Sequence, residues 1–246
     1  MKQQFAKQYA NLEEWHWWFR GRRRILESVL RREFGQKDSI SIASVGCGPA
    51  EGLQWLEQFT GSRGKVVGID VEPMHARRIA PRIEYVIGTL ESAPFADHSF
   101  DAVLALDVLE HLDDDDAGLR EAARMVKPGG LLLVTVPALP SLWGGQDVVS
   151  HHRRRYTKAT LLRTFGRAGL PSPRVSYFNT LLFAPVAGLR WTRRALGKAT
   201  LARSDFDDTR PGLANEVLAS IFAAESHIVS RIPLPIGVSL LATLPL

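Results

Sequence analysis

Between Ser39 and Pro137, short apolar runs rich in β-branched residues alternate with stretches that suit helices, and this alternation constrains the fold more than any other feature. The runs are Ser39–Val45, Lys65–Asp70, Ile83–Val86, Asp101–Leu106 and Leu131–Val136, with Glu51–Phe59, Pro73–Ala80 and Asp113–Val126 between them. Strand–helix alternation of this kind predicts an α/β fold with a parallel sheet and crossover helices. The runs are apolar without a polar–apolar alternation, as expected of strands covered on both faces. Punctuation agrees. Asp113–Asp116 would cap and charge the start of a helix carrying Leu119, Ala122, Ala123 and Val126, and Pro128-Gly129-Gly130 would turn it into the next strand. Thr157 reads as the N-cap of a helix over Lys158–Ala168, with Gly169 as its stop.

The chain has 246 residues, 45% hydrophobic and 23% charged, enough apolar mass for one α/β domain and unlike a disordered or collagenous chain. Its single cysteine, Cys47, excludes an intramolecular disulfide and a Cys-rich zinc cluster. The first 24 residues hold no apolar core of signal-peptide type, so a cytoplasmic location is expected. The net charge of +5 is unevenly spread: residues 37–150 carry 9 basic and 17 acidic groups, whereas residues 151–200 carry 11 basic and none acidic. Such a block is either a solvated face or the footprint of an anionic partner.

Two charge-free stretches, Val175–Leu189 and Ile232–Leu246, are 15 residues each and too short to span a membrane, which takes about 20. Buried strands and packed helices are expected there. Arg190, Trp191, Arg193, Arg194 and Lys198 follow the first stretch in a mix found at lipid interfaces, so a peripheral contact at the inner face of the membrane is the competing expectation.

The chemically informative segment is Ser44-Val45-Gly46-Cys47-Gly48-Pro49-Ala50-Glu51-Gly52, where a buried strand gives way to a helix. Open α/β sheets bind ligands at such places, and glycines let a ligand approach the backbone. Asp70 closes the second run, 24 residues after Gly46, where a carboxylate can accept both ribose hydroxyls. A nucleoside-containing ligand is indicated. The dinucleotide fingerprint would need glycine at position 51, which is Glu, so a nicotinamide cofactor is disfavoured.

In order along the chain, Ser44–Gly52, Val67–Val71, Ser92–Leu112 and Met125–Pro137 resemble the class I S-adenosylmethionine-dependent methyltransferases, over nearly the whole length. The chain also resembles a bacterial subgroup with a W-F-R-G-R-R segment, here Trp18–Arg23, and an H-x-R-R-Y-T loop, here His152–Thr157. The resemblance implies a doubly wound, Rossmann-like, mostly parallel seven-stranded sheet with the last strand antiparallel, near Ile236–Leu241. It implies a single domain over 1–246: an N-terminal aromatic and basic lid (1–36), a cofactor core (37–137) and an acceptor side (138–246). S-adenosylmethionine would be the cofactor and S-adenosylhomocysteine the product. Gly46, Cys47 and Gly48 would hold its methionine part, with Pro49 also at the cofactor. Asp70 would hold its ribose, and Val71, Thr89 and Leu90 its adenine, with Leu106 and Asp107 at the sulfonium. Two positions depart from the family: Ser44 and Thr89 stand where acids are usual. A charge-assisted bond is about twice as strong as a neutral one, so a weaker hold on the cofactor is expected, with Glu91 as a substitute acid.

Methyl transfer from a sulfonium is an in-line displacement, and a general base helps where the acceptor is a hydroxyl. His151, His152, Tyr156, Asp107 and His111 are candidates, and His152 is preferred because histidine's ordinary pKa lies near 6.5. The other reading of His152 is a structural pair with Asp147. Arg154 and Arg155 would grip an anionic acceptor or pair with acids, and His151 and Trp18 would touch the acceptor. Trp15, Trp17, Trp18 and Phe19 would either lid the pocket or pack as an ordinary helix. The histidine spacing indicates no metal site. The function expected is methyl transfer, foremost to oxygen, on a small-molecule or lipid- or glycan-linked acceptor, with no nucleic acid as partner. The competing functions are a non-catalytic nucleoside-binding protein and an RNA methyltransferase.

Overall fold

The computed structural model describes residues 12–35, 37, 39–72, 82–197 and 204–246, without the side chains of residues 50, 51, 207 and 208. The helix expected over Pro73–Ala80 and the basic residue Lys198 lie outside the described residues.

Seven strands form one sheet: β1 (Ile42–Val45), β2 (Val66–Asp70), β3 (Ile83–Ile87), β4 (Phe100–Leu106), β5 (Val126–Pro137), β6 (Arg174–Phe178) and β7 (Ser239–Pro245). Their order is β3-β2-β1-β4-β5-β7-β6. All neighbours are parallel except β7, which runs antiparallel to both β5 and β6. This is the doubly wound, Rossmann-like sheet that the family resemblance implies. The order reverses at β1, which pairs with β2 on one side and β4 on the other, and that switch point opens a crevice at the carboxyl ends of the three strands.

Alternate residues of the strands face two cores. On one face Ala43, Val67, Val103 and Val134 pack with Leu119 of α2 (Asp115–Arg124) and Leu161 and Phe165 of α4 (Lys158–Arg167). On the other, Ile42, Val66 and Leu104 pack with Ile25, Leu26 and Leu30 of α1 (Trp17–Phe34) and Phe222 of α6 (Leu213–Ala224). Helices α1 and α6 approach so closely that a Cβ on Gly21 would lie 2.3 Å from the Phe222 ring. Asn215 latches the pair, accepting from Trp17 N at 2.8 Å and donating to Trp15 O at 2.8 Å.

The expected caps form. Asp114 caps α2 and Thr157 caps α4, while Gly169 takes a left-handed φ of 75° after the helix. Two expectations need correction. The last strand is Ser239–Pro245, not Ile236–Leu241: Gly237 is pressed against the Phe178 backbone, where a Cβ would lie 2.3 Å from the carbonyl oxygen, and the ladder runs from Ser239 opposite Pro137 to Pro245 opposite Leu131. Pro128-Gly129-Gly130 is not a turn before β5 but lies within it, at a shift in the β4–β5 register. Of the two charge-free stretches, the first supplies β6 and the start of α5 (Phe183–Ala195), and the second supplies β7. Among the described residues no helix is long and apolar enough to cross a membrane.

Candidate active site

Where β1 ends, Gly46 and Gly48 adopt left-handed φ values of 60° and 63°. A Cβ on Gly46 would lie 2.6 Å from Val108 Cγ2, whereas one on Gly48 would meet nothing within 4 Å. The loop is thus packed from behind at Gly46 and open in front at Gly48. Asp70, the last residue of β2, fastens it: its Oδ2 accepts from Gly48 N at 2.8 Å and its Oδ1 from Glu72 N at 3.2 Å. Each carboxylate oxygen can accept more than one bond, so Asp70 keeps capacity for a diol. Burial, reinforced by Asp70, pushes the Cys47 thiol far up, which makes it a packing group rather than a nucleophile.

A cavity of about 1400 Å³ lies over this loop. Single-ligand pockets run to about 1,000 Å³, so there is room for a cofactor and an acceptor together. Gly46, Cys47, Gly48, Pro49, Asp70, Val71, Thr89, Leu90 and Leu106 all line it. So do Asp107, His151, His152, Arg155 and Trp18 from the chemical side. Tyr156 and Arg154 are not brought to it. Tyr156 is 2% exposed, its hydroxyl donating to Asp115 Oδ2 at 2.8 Å, and Arg154 donates to the Leu112 carbonyl at 2.8 Å. The loop that carries them is pinned under α2, which takes both side chains away from the cavity.

The short helix α3 (Gly145–Val149) supplies Asp147, fully buried. Its Oδ2 accepts from Gly144 N at 2.8 Å, and its Oδ1 accepts from His152 Nδ1 at 2.9 Å and Arg155 Nε at 2.7 Å. Burial alone would push this carboxyl up; the bonds from His152 and Arg155 outweigh it and hold it at about 2. With Nδ1 engaged, His152 turns Nε2 toward Glu110, whose Oε1 is 3.9 Å away. Glu110 follows β4 and is fully buried; burial first, then Asp107, raises its carboxyl well above the usual range. The His111 ring stands edge-on to His152 at 4.8 Å, and burial, then His152, lowers its imidazole to about 4.

Some wall residues carry little signal in the sequence. Arg22 of α1 bonds Asp107, which ends the β4 turn with a φ of 58°, and its guanidinium sits 4.7 Å above the Trp18 ring. Of the aromatic segment, Trp17, Trp18 and Phe19 line the cavity, and Trp17 and Trp18 also pack against the core beneath α1. Asn179, Leu182 and Val186, far along the chain, complete the wall. The cationic block is mostly engaged within the molecule, with Arg153 on Asp113, Arg155 on Asp147, Arg167 on Asp116 and Arg190 on Asp205.

Residues 43–134, the strands and loops just described, match the methyltransferase domain family. Over that stretch the chain is similar to methyltransferases. A probable S-adenosylmethionine-dependent methyltransferase of Mycolicibacterium smegmatis is 25% identical, over 84% of this chain and 86% of the relative. The ubiquinone biosynthesis O-methyltransferase of Azorhizobium caulinodans is 33% identical over 45% of this chain, which spans 48% of that relative's length. Among solved structures, geranyl diphosphate methyltransferase in complex with S-adenosylmethionine superposes with a TM-score of 0.56 at 16% identity, covering 89% of this chain and 83% of that one, a likeness of fold. The matched residues thus include the glycine loop, Asp70 and the end of β4. The small residues at Gly46 and Gly48, the carboxylate of Asp70 and the size of the cavity fit S-adenosylmethionine.

Proposed function

We propose that this chain transfers the methyl group of S-adenosylmethionine to a hydroxyl of a small-molecule or lipid- or glycan-linked acceptor, with His152 receiving the hydroxyl proton. The observation that carries the reading is the Asp147–His152 pair, bonded at 2.9 Å, in the wall of the same cavity as Gly46, Gly48 and Asp70. Asp70 holds the ribose, the Val71 and Thr89–Leu90 edges flank the adenine, and the methionine part lies along Gly46–Pro49. Leu106 and Asp107 border the sulfonium.

S-adenosylmethionine held there would supply its methyl carbon to the acceptor oxygen by in-line displacement, the carbon–sulfur electron pair staying with the departing S-adenosylhomocysteine. The acceptor proton passes to His152 Nε2, and the Asp147 carboxylate stabilises the imidazolium. Leu182, Pro185, Val186, Leu189 and Leu218 give the acceptor side an apolar wall, which suits an acceptor with a hydrocarbon portion. A peripheral membrane contact belongs to the same reading: Leu181, Leu189, Trp191 and Leu196 stand exposed on and beside α5. Arg153–Arg155 are held by the protein's own acids and carbonyls, so an anionic group on the acceptor is not part of this reading.

The test is a screen of hydroxyl-bearing amphiphiles for methyl transfer, followed by His152→Ala. The variant should bind S-adenosylhomocysteine as the parent does and lose turnover at least 100-fold, within the usual range for a general base. Undiminished turnover would remove His152 from the proton's path.

A further inference from the structure

Among the described residues, Glu110, His111 and His152 each place one ligand atom within 4.8 Å of the others. Glu110 and His111 come from the turn after β4 and His152 from the loop after α3, so nothing in their spacing announces the cluster. Glu110 is fully buried and lines the cavity, yet neither of its carboxylate oxygens accepts a hydrogen bond. Buried carboxylates without partners are costly and rare. The two arginines whose charge reaches it, Arg155 and Arg22, bond other carboxylates, those of Asp147 and Asp107.

We propose that Glu110, His111 and His152 form a binding site for a divalent transition-metal ion. Two imidazoles and one carboxylate are a donor set that suits zinc or iron better than magnesium, which prefers oxygen. The supporting shell is already built. Asp147 accepts the Nδ1 proton of His152, the carboxylate–histidine arrangement that orients metal ligands, and so leaves the Nε2 lone pair facing Glu110. Zinc bonds of about 2.0–2.2 Å put ligand atoms roughly 3.4 Å apart, so side-chain rotations of about 1 Å would close the set. All three residues line the cavity, where an acceptor oxygen can enter.

An ion on Nε2 occupies the lone pair that otherwise receives the acceptor's proton. An ion bound there would lower the pKa of a coordinated hydroxyl, whose proton would then leave to solvent, and His152 would hold the ion. The site does not depend on methyl transfer, and its test needs neither methyl donor nor acceptor.

The full chain, stripped with a chelator and dialysed, is titrated with Zn²⁺ in a calorimeter, with Mg²⁺ in parallel. One Zn²⁺ per chain is expected, with Mg²⁺ at least 100-fold weaker. Glu110→Gln keeps the shape and removes only a carboxyl that has no hydrogen-bond partner, so it should fold and weaken Zn²⁺ at least 100-fold; His111→Ala should do the same. Asp147→Asn should weaken it about 10–100-fold, and Cys47→Ser should leave it unchanged. Absence of Zn²⁺ binding by the folded parent overturns the site. So does binding that survives both Glu110→Gln and His111→Ala, or binding that Cys47→Ser abolishes.

Discussion

Asp147 Oδ1 accepts at once from His152 Nδ1 at 2.9 Å and from Arg155 Nε at 2.7 Å, so one buried carboxylate both orients the histidine of the cavity wall and neutralises a buried guanidinium. Arg155 also donates to the Ala138 carbonyl at 2.8 Å, tying the pair to the end of β5. Both roles follow from a five-residue helix whose start Asp147 itself caps.

Removing that charge should therefore hurt twice. Asp147→Asn leaves Arg155 buried without its counter-ion, a change that costs about 3–5 kcal/mol. At roughly 2–4 °C per kcal/mol for a domain of this size, the melting temperature should fall by about 6–20 °C. Calorimetric unfolding checks this; a fall under 2 °C would mean that the network is not holding the loop.

The two glycines of the loop should respond differently to alanine. Both take positive φ, a strain of about 1–2 kcal/mol for an L side chain. Gly46→Ala adds a collision with Val108, so its stability loss should exceed that of Gly48→Ala by at least about 1 kcal/mol. Gly48→Ala has no protein atom to strike and should act on the ligand, lowering S-adenosylhomocysteine affinity at least tenfold with a small change in melting. Parallel denaturant melts and ligand titrations separate the two; equal stability losses would contradict the packing assigned to Gly46.

Much of this site is readable from the sequence, and the part that is not has a physical reason. The strand runs and the caps at Asp114 and Thr157 follow from local pattern, because a turn or a cap is set by residues close in sequence; the cavity residues from Gly46 to Leu106 follow from the family resemblance of four ordered segments. Glu110, Arg22 and the wall from Asn179 to Leu189 depend on which distant segments the sheet order brings together. Tyr156 is the instructive case. It sits four residues beyond His152 in the same loop, but the chain turns between them, and its ring goes under α2 while His152 faces the cavity.

Tyr156→Phe should accordingly act on stability alone. It deletes the 2.8 Å bond to buried Asp115 and should cost about 1–3 kcal/mol, while S-adenosylhomocysteine affinity stays within a factor of two. A loss of affinity with unchanged melting would return the tyrosine to the site.

His16 predicts a pH dependence. Burial lowers its imidazole to about 4, and as the N-cap of α1 its Nδ1 accepts from Trp18 N at 3.2 Å, which only the neutral ring can do. The unfolded chain binds a proton here near pH 6.5 and the folded chain does not, so stability is complete above about 6.5 and falls as pH drops toward 4. The slope from this group approaches about 1.4 kcal/mol per pH unit within that window. In His16→Asn, which keeps a capping side chain without the titration, the stability difference between pH 7 and pH 5 should shrink; an unchanged slope would place the titration elsewhere.

The most direct test of the account is thermal unfolding with S-adenosylhomocysteine, on the parent chain and on Asp70→Ala. At about 100 times its dissociation constant the ligand should add roughly 2.7 kcal/mol, a rise of several degrees. The account predicts that rise for the parent and none for Asp70→Ala. A folded parent that does not respond, or a variant that responds equally, would contradict the cofactor site built from Gly46, Gly48 and Asp70.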